Sequence, residues 1–202
     1  MNLTLQGLKK ILLSPRAHID AADIGAIRAR ALFQAPESAG TKRGQTLAEF
    51  LAHVSLFEDL GRRDLARLAR IVHEREYGDG EYICEEARPG AALFVVRRGV
   101  VEVVRRGAGD DEVPLALLEP PASFEESAVI GPETPRWFSV RARGPVSLLA
   151  LGKSDLDALS VDFPLMASKV LTRLAGLLAA RLRLLVEAGF AGESDERTEG
   201  KP

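Results

Sequence analysis

Cysteine is almost absent from this chain of 202 residues: Cys84 is the only one. No intramolecular disulfide can form, and no thiolate cluster is available for zinc or iron–sulfur chemistry, so a reducing, cytoplasmic setting is expected. Histidine is nearly as scarce. His18, His53 and His73 all precede the stretch richest in strand-forming residues, and none has a second histidine at a spacing suited to sharing a metal. A metalloenzyme is therefore not expected. Nor is there an excess of charge of one sign: 27 Lys and Arg face 29 Asp and Glu, for a formal charge of -2, which gives no general attraction to nucleic acid or an acidic membrane. Long apolar runs are missing too. The most apolar stretch, Leu174 to Val186, is interrupted by Arg181 and Arg183 and is too short for a bilayer core of roughly 30 Å. The N-terminal apolar stretch is likewise too broken for a signal peptide or a transmembrane segment. No Gly-Lys-Ser/Thr phosphate loop, Gly-x-Ser-x-Gly elbow or histidine-paired cysteine is found, and the chain is not expected to be an enzyme.

What is present has the length and composition of one principal globular domain with helical additions. Apolar residues recur at helical spacing from Leu3 to Leu13 and from Asp20 to Phe33, with Ser14-Pro15 between, which predicts an N-terminal helical extension over 1–35. Residues 36–46, PESAGTKRGQT, have the composition of a linker. The main domain is expected over 47–188. Thr46 is a candidate cap for a helix carrying Leu47, Phe50 and Leu51, and Asp64 lies early in another with Leu65, Leu68, Ala69 and Val72. From Tyr77 to Leu151 the texture becomes short Val, Leu and Ile runs between glycines, the pattern of antiparallel strands. Helical periodicity returns at Asp155–Leu159, with Ser154 as its cap. It continues over 164–188, where Pro164 suits the first turn and Gly189 the end. The polar tail 189–202 is expected to be disordered. The fold class is α+β: an antiparallel β-barrel or jelly roll of about eight strands, flanked by N-terminal helices and a long C-terminal helix.

Several pieces in this order carry a resemblance. They are Leu56-Phe57 before Leu60, Asp79-Gly80-Glu81-Tyr82-Ile83, the run from Leu93 to Val103 with Gly99 as a tight connection between Val96 and Val100, Phe124-Glu125-Glu126-Ser127-Ala128, and Pro135-Arg136. Over roughly Leu47 to Val186 the chain resembles the cyclic-nucleotide-binding domain of catabolite-activator-type regulators, cyclic-nucleotide-dependent kinases and gated channels. The resemblance implies a phosphate-binding cassette over Phe124 to Val140 and a ligand, cAMP or cGMP, with no other cofactor. Arg136 would hold the cyclic phosphate and Glu126 would accept a hydrogen bond from a ribose hydroxyl. Ser127 and Ala128 would complete the short cassette helix, and Trp137, Phe138 and Ser139 would line the neighbouring strand.

The chain departs from that pattern at four positions. Pro121 and Glu125 stand where the family has glycines, and Trp137 and Phe138 stand where small residues follow the arginine. A carboxylate at Glu125 about 4 Å from a phosphate would cost on the order of 1 kcal/mol in water and several times that away from solvent. Trp137 and Phe138 offer either a stacking surface for a purine or filling for its space. Two readings follow: a stand-alone sensor that signals through its C-terminal helix to an unknown protein partner, or a degenerate barrel that serves as a scaffold or assembly subunit without nucleotide. Direct DNA binding is not expected, since only a short polar tail follows the long helix. That helix is expected to form a homodimer through Leu171, Leu174, Leu178 and Leu185, with Arg181 and Arg183 flanking the seam; the alternative is that the N-terminal helices cover the same face. Lys9, Lys10, Arg16, Arg28 and Arg30 make the N-terminal extension basic, a solvated face or a docking surface.

Overall fold

The structure, a computed structural model, describes residues 44–107 and 111–193, with side chains as far as Leu184. The helices expected within 1–35, residues 36–43 of the linker and the tail from 194 lie outside the described residues.

Thr46 caps the first described helix, α1 (Leu47–Leu51), as its sequence suggests. Its hydroxyl accepts from the Glu49 N–H at 3.3 Å, and the Glu49 carboxylate accepts from the Thr46 N–H at 2.8 Å. A single 3-10 turn (Ser55–Phe57) leads to α2 (Arg62–Ile71), which turns Leu65 and Leu68 inward and Arg62, Arg63, Arg67 and Arg70 outward. The strands are β1 (His73–Tyr77), β2 (Tyr82–Cys84), β3 (Ala92–Arg106), β4 (Glu112–Leu118), β5 (Ser123–Phe124) and β6 (Ser139–Gly152). A 3-10 turn, Glu126–Val129, separates β5 from β6, and α3 (Lys153–Asp162) and α4 (Pro164–Glu193) complete the order.

Six antiparallel strands are described where about eight were expected, in the order β1-β6-β3-β4, with β2 on β6 and β5 on β3; the sheet does not close. The reason is visible in β3 and β6. Gly99, read from the sequence as a hairpin connection, lies inside β3, where φ is +83° and register shifts flank it between Val96 and Val100. A Cβ on Gly99 would lie 2.4 Å from the Pro145 carbonyl oxygen, so only glycine allows β6 to approach there. One long bent strand thus pairs twice with another. Arg141 to Ser139 of β6 lie against Glu102 to Val104 of β3, while Gly152 to Leu148 lie against Ala92 to Val96.

Side-chain alternation along these two strands divides the interior. Leu93, Val95, Leu149 and Leu151 face a core shared with Phe50, Leu51, Leu56, Phe57, Leu68, Leu156, Leu159, Val170 and Leu174 of the helices. Phe94, Val96, Leu148 and Ala150 face the other way, into a core with Val101, Val103, Phe124, Phe138 and Val140. At about 1.5–3 kcal/mol for each fully buried large apolar side chain, the helical core is what ties α4 to the sheet.

Other boundaries also differ from the sequence reading. His73 does not precede the strands but opens β1, paired with Ala150. The helix expected over Asp155–Leu159 starts at Lys153, because the Asp155 carboxylate accepts from the Gly152 N–H at 2.9 Å and moves the cap from Ser154 to Gly152. The long helix passes through Gly189 to Glu193. One interior glycine costs a helix only about 1 kcal/mol. Leu174 does not stand on an outward seam: it is fully buried in the helical core.

Candidate functional site

The cassette residues meet at the open side of the sheet, around a cavity of about 130 Å³ lined by Glu125, Glu126, Ser127, Ala128, Arg136, Trp137 and Phe138. Phe124 is drawn the other way. It is fully buried, stacks on Phe94 with ring centroids 5.2 Å apart, fixes the start of the cassette to β3 and does not line the cavity.

Glu125 takes a left-handed conformation, φ 62° and ψ 28°, uncommon for a residue with a side chain. This turns its carboxylate inward, onto the Arg136 guanidinium, with Nε donating to Oε2 at 2.7 Å; both side chains are nearly buried. Burial pushes the Glu125 carboxyl above its ordinary range, against the pull of Arg136. Arg136 is positioned by its backbone: its N–H donates to the Arg88 carbonyl at 3.0 Å, and its carbonyl accepts from the Ala87 N–H at 2.8 Å. Gly90, on the same segment, leaves the room that the pair occupies. A Cβ there would lie 2.6 Å from Glu125 Oε2 and 3.0 Å from Arg136 Nη2.

Glu126 is buried and forms a second charged cluster. Its Oε1 accepts from the Ser123 hydroxyl at 2.5 Å, and Arg181 of α4 grips both oxygens, Nη1 to Oε2 at 2.7 Å and Nη2 to Oε1 at 3.0 Å. This two-pronged pairing is the geometry arginine and carboxylate favour most. Arg181, expected to flank a dimer seam, is thus a member of the cavity. Leu178, expected in that seam, lines the same cavity. Trp137 is partly exposed at the rim and meets the buried Phe138 edge-on at 4.8 Å. Ser139 accepts the Glu86 N–H at 2.9 Å and serves the strand.

Residue-by-residue reading named the cassette and missed Gly90, Ser123 and the inward role of Arg181. The first two carry no charge pattern to mark them. Arg181 lies 55 positions from its partner, on a helix whose rotation about its axis no local pattern fixes. Among the described residues, no group of three or more His, Cys, Asp or Glu is placed to hold a metal ion, and no helix is long and apolar enough to cross a membrane.

The structure thus combines helices with an antiparallel sheet whose short turn after β5 lies beside a nearly buried arginine. The model of the cyclic nucleotide-binding domain matches residues 74–162, and the chain belongs to that family. It is similar to the N-terminal domain of a transcriptional regulator from Streptomyces coelicolor A3(2), with 30% identity and a TM-score of 0.57, covering 66% of this chain and 92% of that one. The catabolite activator protein of Thermus thermophilus is 34% identical with a TM-score of 0.59, over 67% of this chain and 60% of that one. Among curated proteins, the cGMP-dependent protein kinase egl-4 of Caenorhabditis elegans is 29% identical over 144 residues, which are 66% of this chain and 18% of the kinase. The chain therefore spans about a fifth of the length of the curated relatives it matches, within their binding domains.

Proposed function

We propose that the chain is a cytoplasmic regulatory module that takes cAMP or cGMP in the cassette cavity and signals to a protein partner through the pose of α4. One observation carries this reading: the Glu126 carboxylate belongs to the cavity and is held by Arg181 of the long helix. A ribose hydroxyl that donates to Glu126 competes with that grip. Occupancy of the cavity and position of α4 are then two sides of one equilibrium, and the ligand shifts it by its differential affinity for the two helix poses. The apolar residues on the exposed side of α4, Leu171 and Leu182, suit a homodimer, which would pass the shift between two copies.

The second reading, a scaffold that binds no nucleotide, is favoured by the Glu125–Arg136 pair and by the size of the cavity, about 130 Å³ against roughly 300–1,000 Å³ for typical ligand sites. Calorimetric titration with cAMP and cGMP separates the two. Ser127, exposed at the cavity's edge, supplies the control, since Ser127→Phe blocks the cavity without entering the core. Saturable binding at micromolar ligand, lost in Ser127→Phe, is the expected result. No heat at millimolar ligand assigns the chain to the scaffold reading.

A further inference from the structure

Four charged side chains converge on the cavity, and all four are satisfied in pairs: Glu125 with Arg136 and Glu126 with Arg181. The first pair is a built arrangement. Glu125 holds a left-handed backbone, its carboxylate is almost wholly buried, and the facing residue is a glycine whose missing Cβ is what lets Oε2 and the guanidinium meet. We propose that Glu125 is a specificity-determining residue that seats its own carboxylate on Arg136, the anion-binding group of the cavity, and so discriminates against a ligand's phosphate. The inference rests on reading the cavity as a nucleotide site, and concerns which part of such a ligand supplies the affinity.

The argument is one of charge. An incoming phosphate can displace the Glu125 carboxylate, which strands a buried anion without its partner, or it can lie beside it and face a like charge at short range. Both routes consume what Arg136 would otherwise give. The nucleoside part of the ligand is uncharged and meets neither penalty, since its contacts are with Glu126 and the rings of Trp137 and Phe138. In this chain, therefore, a cyclic phosphate adds little to the affinity of its nucleoside. Replacing Glu125 by glycine frees the guanidinium, suits the left-handed backbone and enlarges the cavity.

The test uses the emission of Trp137, the chain's only tryptophan and a cavity residue, to titrate the full chain with adenosine, cAMP, guanosine and cGMP. For the native chain, each cyclic nucleotide and its nucleoside should agree in Kd within about tenfold. Glu125→Gly should tighten the cyclic nucleotides by at least about tenfold and leave the nucleosides within about twofold. Glu125→Gln, which keeps the side chain's size and removes its charge, should move in the same direction and covers the case in which the glycine variant does not fold. A cyclic-nucleotide-to-nucleoside ratio unchanged in both variants overturns the proposal, as does a folded variant that binds none of the four. A native chain that binds nothing while Glu125→Gly binds the cyclic nucleotides would remove the proposed function and leave the role of Glu125 standing.

Discussion

At the scale of single residues, burial decides what chemistry is open. Cys84 lies in the sheet interior near Glu125, and burial, with some help from that carboxylate and against the pull of Arg136, pushes its thiol up to about 12. The structure therefore predicts an inert cysteine: no reaction with a thiol reagent at pH 8 until the chain is unfolded. The same shift has a stability consequence whose sign is fixed. A thiol raised in the folded state contributes stability that is complete below the unfolded value of about 8.5 and lost as pH climbs toward about 12. Urea unfolding at pH 8 and pH 10.5 should show the native chain losing about 2 kcal/mol more than Cys84→Ala over that interval. Equal losses in both proteins would mean that the thiol is reached by solvent. Glu125 gives the complementary lesson. Its identity could be read in the sequence as a carboxylate in a glycine's place, but its direction could not. That the side chain turns onto Arg136 depends on the left-handed backbone and on Gly90, which comes from another part of the chain.

At the scale of elements, local rules worked where an element is decided by its own residues and failed where a neighbour decides it. Thr46 and Glu49 form their capping box from a four-residue pattern, and α1 begins where that pattern places it. Gly99 is the opposite case. Its positive φ was legible, but whether the chain turns there or continues as a bent strand depends on the close passage of Pro145, which only the folded sheet supplies. The face that α4 turns toward the cassette was hidden in the same way, because leucines surround much of the helix. The Arg181–Glu126 pairing now makes that face testable. Arg181→Ala leaves Glu126 with the Ser123 hydroxyl but without its cation, and breaking a buried pair costs up to about 3–5 kcal/mol. A loss of about 2–3 kcal/mol is expected, below the full range because Ser123 remains. Amide exchange should accelerate in α4 beyond Leu174 and remain slow in α2 and α3. Unchanged exchange in α4 would show that the helix is held by apolar packing alone.

At the scale of the whole molecule, α4 serves two surfaces along its length, and the distinction governs how assembly can be probed. Leu174 is fully buried against the helical core, and Arg173 anchors the same turn by donating to the Ser55 carbonyl at 3.1 Å and pairing with Glu58. Leu171 and Leu182 remain exposed, 38% and 62% respectively, and lie about three helical turns apart on one line of the helix. Leu185, the other seam candidate, lies beyond the described side chains. A dimer through α4 cannot use Leu174, whereas the Leu171–Leu182 line is open to one among the described side chains. Sedimentation equilibrium separates assembly from folding on this basis. Leu182→Glu should lower the mass from two chains to one and leave a folded monomer, with Tm lowered only by the loss of assembly, because the introduced charge stays in water in the monomer. Leu174→Glu places an unpaired carboxylate in the core and should unfold or severely destabilise the chain, by several kcal/mol, whatever its oligomeric state. If Leu182→Glu and the native chain sediment with the same mass, the exposed line of α4 is not a seam between copies, and it is left as a surface for a different protein.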